Sequence, residues 1–88
     1  AQREKATLLF TVLNATSALL EQGERDAAVI RDVMQRLISA EPLARLDYVS
    51  IADPITLHEL NMIDTGAIVS LAVYFGNTRL IDNLHWEL

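Results

Sequence analysis

The residues able to do chemistry are few and scattered. The chain holds two histidines, His58 and His85, a single lysine, Lys5, three glycines and no cysteine. A zinc site needs several converging donors, and no carboxylate or thiolate pattern joins these two imidazoles into one. Both histidines are therefore expected at the surface or rim. Gly23, Gly66 and Gly76 are too far apart for a phosphate-cradling loop, and no G-x-S-x-G elbow is present. Nucleotide chemistry normally recruits lysines, and one is a poor supply. Without cysteine there is no thiol nucleophile, thiolate metal site or disulfide. The sequence thus offers no catalytic, cofactor-binding or metal-ligating residue to assign.

Among the remaining charges, Arg79 and Asp82 stand out because they follow a turn. One reading makes them active-site or interdomain contacts. The other, which we favour, is structural, with Arg79 paired to a neighbouring carboxylate or loop carbonyl, a contact typically worth about 0–1 kcal/mol. Asp47 and Asp53 flank an apolar run and are expected to cap or bound it. Trp86 is expected to anchor packing rather than stack on bases, because the surrounding charge is wrong for nucleic acid.

Eighty-eight residues make one domain, and 51% hydrophobic content argues against disorder. A domain so small buries a modest core and must rest on packing or lean on a larger body. The net charge is −5, and it is uneven. Residues 1–44 carry five bases against six acids, whereas residues 45–88 carry two bases against six acids. That balance repels phosphate backbones, so nucleic acid is not an expected partner. No apolar stretch nears the roughly 20 residues that span a bilayer, so no membrane is expected either. The opening Ala1-Gln2-Arg3-Glu4-Lys5 does not read as a secretory leader, and a cytoplasmic setting is the expectation. The missing initiator methionine fits a piece of something longer, and equally a processed chain.

These residues must be positioned by a handful of elements. Leu9, Val12, Leu13, Thr16 and Leu20 share one face of a helix over residues 4–22, which Gly23 is suited to end. Asp26 is a natural N-cap for a second helix. Its stripe is Val29, Ile30, Val33, Met34, Leu37 and Ile38, with Arg31, Asp32, Gln35 and Arg36 facing water, and Pro42 closes it. The short link implies an antiparallel helical hairpin. Residues 46–52 read as a strand ended by Asp53-Pro54, and residues 55–66 as an irregular connection with room for one helical turn. Residues 67–75 are apolar on both faces, as a central strand should be. Gly76-Asn77 fits a two-residue turn with positive φ angles, and residues 78–83 return as the partner strand.

The expected architecture is α+β: an antiparallel helical hairpin packed on a small three-stranded, mainly antiparallel sheet. One physical difficulty follows. Two helices blanket one face of such a sheet, yet strands 46–52 and 67–75 carry apolar side chains on both. Val69, Leu71, Val73 and Phe75 point one way, while Ile68, Ala72 and Tyr74 point the other. Burying a large apolar side chain is worth roughly 1.5–3 kcal/mol, so the second face should meet either the 55–66 connection or another protein surface.

In order and spacing, several stretches resemble one family. They are Gly23-Glu24-Arg25-Asp26 after a helix, Leu46-Asp47-Tyr48-Val49 after Ala40-Glu41-Pro42, Asp53-Pro54-Ile55-Thr56-Leu57, and Thr78-Arg79-Leu80-Ile81-Asp82-Asn83. Together they look like the C-terminal domain of pantoate–β-alanine ligases, over essentially the whole chain. Two positions depart from the family pattern: Val73-Tyr74-Phe75 is bulkier than the usual Gly- or Ala-rich segment, and His58 stands where Glu or Gln is common.

The resemblance implies a parent enzyme that joins pantoate to β-alanine through a pantoyl adenylate, using ATP with magnesium. It places that chemistry in a Rossmann-like N-terminal domain with a HIGH-like motif, and in a Ser-Ser-Arg-Asn segment ahead of the matching region. Neither motif occurs in residues 1–88. The implied role of this chain is a lid, inactive alone, whose partner is the N-terminal catalytic domain. Closure would exclude water and protect an acyl adenylate from hydrolysis. Two other readings compete. One is a self-associating interaction module, a homodimer whose apolar face is closed by a second copy; the other is an autonomous small enzyme.

Overall fold

The computed structural model describes residues 2–88, with side chains from Thr7 onward. Two helices come first, α1 (Gln2–Glu21) and α2 (Ala27–Ser39). Three strands follow, β1 (Ala44–Ala52), β2 (Gly66–Phe75) and β3 (Thr78–Glu87). They form one antiparallel sheet in the order β1-β2-β3, with the most apolar strand in the middle. The expected α+β architecture is the observed one.

The helix ends follow from local chemistry. Gly23 takes a φ of +100°, and the Glu24 and Gly23 amides donate to the Leu19 and Leu20 carbonyls at 2.9 and 3.1 Å. Those two bonds satisfy carbonyls that α1 would otherwise leave open, in the pattern of a Schellman cap. The Asp26 carboxylate accepts from the Ala28 amide at 2.9 Å and starts α2.

The core lies between the helices and one face of the sheet. Leu9, Val12 and Leu20 of α1 and Ile30, Met34 and Ile38 of α2 are buried against Ile51, Val69, Leu71 and Val73. Thr16 is buried among them and donates its hydroxyl to the Val12 carbonyl at 2.9 Å, so no polar hydrogen is stranded.

Besides Val29 of the expected α2 stripe, which is exposed, four details differ from the sequence reading. The first is a bulge in β1: Leu46 pairs with Val73 and Tyr48 with Ala72, which leaves Asp47 as an extra residue. The bulge resets the alternation, so Leu46, Val49 and Ile51 all stand on the helix side. Most of the apparent two-faced character of β1 is this single inserted residue. The second is Arg31, expected in water. Its guanidinium instead lies against β1 and the connection, because oxygen acceptors from Ile51, Glu59 and Leu60 converge there. In the third, only Gly76 of the hairpin turn has positive φ, at +61°. The signs are those of a type II′ turn, which places the demand on the first position alone. Finally, β3 runs on to Glu87, while the connection keeps the one turn allowed for it, closed by the bond from the Leu57 amide to the Asp53 carbonyl. The connection then crosses the start of α2, where Ile63 enters the core and its amide donates to the Arg25 carbonyl at 2.8 Å.

Candidate functional site

Three polar clusters and one cleft organise the surface. The first cluster pins the connection to the free edge of β1. Glu59 accepts from the Ser50 hydroxyl at 2.6 Å, the Ile51 amide at 2.8 Å and Arg31 Nη2 at 2.9 Å. Arg31 also donates to the Leu60 carbonyl at 2.8 Å and reaches the Ile51 carbonyl at 3.5 Å. Burial is the largest influence on the Glu59 carboxyl and pushes its pKa up. The bonds from Ser50, Ile51 and Arg31 together outweigh it and hold the group below its ordinary value. No sequence periodicity announces this cluster, because its members come from α2, β1 and a loop.

The loop beside it is clasped by its own backbone. Asp53 Oδ1 accepts from the Ile55 and Thr56 amides at 2.8 and 2.9 Å, and those bonds lower its pKa. The Asp53 amide donates to the His58 carbonyl at 2.9 Å, and the Leu57 amide to the Asp53 carbonyl at 2.9 Å. Asp53 thus bounds β1 as expected. Leu57 is held at a φ of +63°, a strained conformation for a branched side chain, and it points outward together with Ile55. A cleft of about 380 Å³ opens between Pro54, Ile55, Leu60, Gly66 and the end of β3, with Asp53, Asp64 and Glu87 on its walls.

The second cluster joins the end of β3 to the end of α1. Trp86 is buried, donates its Nε1 hydrogen to Glu21 at 3.3 Å, and lies under the Arg25 guanidinium, 4.3 Å from the ring centre. Arg25 donates to the Leu20 and Glu24 carbonyls at 2.9 Å each, where a cation meets the negative end of the helix dipole. Trp86 is the packing anchor that the sequence led us to expect.

The third cluster lies on the sheet face opposite the helices. Arg45 stacks on Tyr74 at 4.4 Å, and Arg79 sits 5.8 Å from the Tyr48 ring while pairing with Asp47. That pairing matches the structural reading of Arg79, and its bond to Asp47 is the main reason its pKa is raised further. Asp47 is a bulge residue and an ion-pair partner rather than a strand cap. Asp82 takes no part, since its carboxylate accepts from the adjacent Asn83 amide at 2.8 Å. The connection does not cover this face. The Leu60 amide donates to the Ile51 carbonyl at 2.8 Å, so the segment lies along the β1 edge, and Tyr48 and Ile81 remain exposed.

His58 and His85 are both exposed and fall on different elements, His58 in the clasped loop and His85 in β3 opposite Ile68. Among the described residues, no group of three His, Cys, Asp or Glu side chains is placed to hold a metal ion. None of the described helices is long and apolar enough to cross a membrane. The arrangement reads as two exposed surfaces on a rigid frame: the arginine–tyrosine sheet face and the loop bearing Ile55 and Leu57.

Comparison with known proteins supplies the missing context. The sequence model of the family described as Pantoate-beta-alanine ligase matches residues 1–85. The chain is 51% identical over 84 residues to pantothenate synthetase from Herpetosiphon aurantiacus, covering 94% of this chain and 30% of that protein. It is 42% identical over 87 residues to pantothenate synthetase from Clostridium botulinum, covering 99% of this chain and 31% of that protein. Its fold superposes on the crystal structure of pantothenate synthetase from Thermus thermophilus with a TM-score of 0.81 at 35% identity, over 94% of this chain and 30% of that one. The chain therefore spans about 30% of the length of the relatives it matches. With the fold and nearly every residue of the chain accounted for in this way, the protein belongs to the pantoate–β-alanine ligase family.

Proposed function

We propose that this chain is the C-terminal lid domain of a pantoate–β-alanine ligase and does not turn over substrate by itself. The observation that carries this reading is the asymmetry of coverage: 94% of this chain matches only 30% of its relative. A domain that accounts for so little of an enzyme, and whose charged side chains are largely engaged within it by backbone groups, aromatic rings or one another, is suited to covering a site.

In this reading the preceding domain binds ATP, magnesium, pantoate and β-alanine. The side chains here do not fit a magnesium–nucleotide site, since no three potential metal ligands converge among the described residues and Lys5 is the only lysine. No chemical step is assigned to them. Their contribution is physical: a closed lid excludes water, which slows hydrolysis of an acyl adenylate and strengthens electrostatic contacts around it. Tyr48, Tyr74 and Ile81 on the uncovered sheet face supply apolar area for docking on the larger domain.

The test is complementation. The chain alone should form no pantothenate from pantoate, β-alanine and ATP. Adding the separately produced preceding portion of the Herpetosiphon relative should raise the rate above that portion alone and perturb amide resonances within residues 67–83. Turnover by the chain alone, or an unchanged spectrum, would refute the reading.

A further inference from the structure

The two edges of the sheet are treated differently. The β1 edge is closed by the connection, through the Leu60 and Asp53 amides and the Arg31–Glu59 pair. The β3 edge is open. Phe75 and Thr78 flank a two-residue turn, so the even-numbered residues of β3 bond inward to β2. The N–H and C=O groups of Arg79, Ile81, Asn83, His85 and Glu87 then point away from the sheet. None of them makes a backbone–backbone bond outside the β2–β3 ladder among the described residues. An open edge of this length is a template for another strand.

The natural visitor is a second copy of β3, added antiparallel about a twofold axis. For both sheets to keep their helix-side faces aligned, opposed residues must share parity. Two registers then overlap most, setting Asp82 against Asp82 or Leu84 of the visiting copy, and the next two set it against Leu80 or Trp86. The central register, with the axis at Asp82, is otherwise well matched, with Leu80 opposite Leu84 on both sides of the axis. In each register the Asp82 carboxylate meets either its own copy or an apolar side chain, and like charges directly opposed destabilise a strand pair. Asp82 does a second thing. Its Oδ1 accepts from the Asn83 amide at 2.8 Å, and that amide is the outward donor at mid-strand.

We propose that Asp82 is an edge guard: it occupies the central donor of the open β3 edge and blocks a latent twofold pairing of β3 with a second copy of the chain. The inference stands independently of the lid assignment. Asp82 is exposed and opposite Leu71 in register, so changing it disturbs the rim of the sheet and not the core.

Sedimentation of the 88-residue chain tests it. The unaltered chain should stay monomeric at concentrations where Asp82→Val and Asp82→Ser dimerise, with association tightened about tenfold or more. Asp82→Lys should be monomeric alone yet form a heterodimer when mixed with the unaltered chain, because the central register then opposes lysine to aspartate. Hydrogen exchange should slow at the Ile81 and Asn83 amides on dimerisation. Adding Asn83→Pro to Asp82→Val should restore the monomer, since proline removes an outward N–H that the β2 ladder does not use. Monomers throughout the Val, Ser and mixed samples would overturn the proposal. So would dimers whose Ile81 and Asn83 amides still exchange fast, or an unaltered chain that already pairs through this edge.

Discussion

Asp47 and Arg79 join the two outer strands of the sheet across the central one. Oδ2 of Asp47, in the β1 bulge, accepts from Nε and Nη2 of Arg79 on β3 at 2.9 and 2.8 Å. Tyr74 on β2 is the register partner of both Arg45 and Arg79. The bulge therefore does two jobs: it points Asp47 at Arg79, and it keeps Leu46 on the same side as Val49 and Ile51.

Deleting Asp47 restores regular alternation without turning any core residue outward. The fold should survive, with a loss of about 1 kcal/mol and a melting temperature lower by roughly 4–8 °C. Deleting Ser50 should be far worse. It leaves Val49 and Ile51 adjacent, so one flank of β1 must face the wrong way at about 1.5–3 kcal/mol per large side chain. Calorimetry of the two deletions decides, and equal losses would show that the bulge does not set the register. In a double-mutant cycle, Asp47→Ala and Arg79→Ala should couple by no more than about 1 kcal/mol, because both side chains are more than one third exposed.

Met34→Ala should cost about 2–5 kcal/mol in urea denaturation, since Met34 is fully buried beneath the sheet. Val29→Ala, on the same helix but 41% exposed, should stay within about 1 kcal/mol. Similar losses at both positions would mean that α2 is rotated from the orientation described.

The Glu59 cluster predicts an acid limb in stability. Its carboxyl is held below its ordinary value of 4.5 in the folded chain. The folded state therefore binds a proton less readily than the unfolded one. The associated stability is present above the ordinary value and is lost as pH falls through the lower folded one. Asp53, lowered by the Thr56 and Ile55 amides, acts in the same direction. Urea midpoints measured between neutral pH and about pH 3 should fall less steeply for Glu59→Gln than for the unaltered chain. An identical slope would detach Glu59 from the acid response.

Two positive φ values make opposite predictions. Gly76→Ala should destabilise by about 1–2 kcal/mol through backbone strain alone, because nothing lies within 4 Å of the added methyl. At Leu57 the strain is already present and the side chain is 66% exposed, so Leu57→Asn should be neutral or stabilising by up to about 1 kcal/mol. A clear loss at Leu57 would show that its side chain makes a contact worth more than the strain.

The parts readable in the sequence were those set by neighbours along the chain. The Ile30, Met34 and Ile38 stripe, the Asp26 cap, the Gly23 stop and the two-residue turn after Phe75 all depend on residues within a turn or two. Family kinship was readable as well, in four short stretches held at fixed spacing. The bulge was hidden because Leu46-Asp47-Tyr48-Val49 alternates acceptably in either phase, and only pairing with Val73 and Ala72 shows which residue is extra. Arg31 misled for a related reason: its helical position faces outward, but its long side chain reaches the acceptors of Ile51, Glu59 and Leu60, 20 to 29 residues further along the chain.

By itself, then, the sequence determined the helices, the strands, their order and the family, because short-range sterics and periodicity specify them residue by residue. Tertiary structure alone decided which polar groups meet. It closed the β1 edge with a loop from beyond Asp53, left the β3 edge to Asp82, and matched Arg79 to Asp47 rather than to a carboxylate nearer in the chain. Such pairings depend on where separate elements come to rest against one core, and no local pattern of residues encodes that.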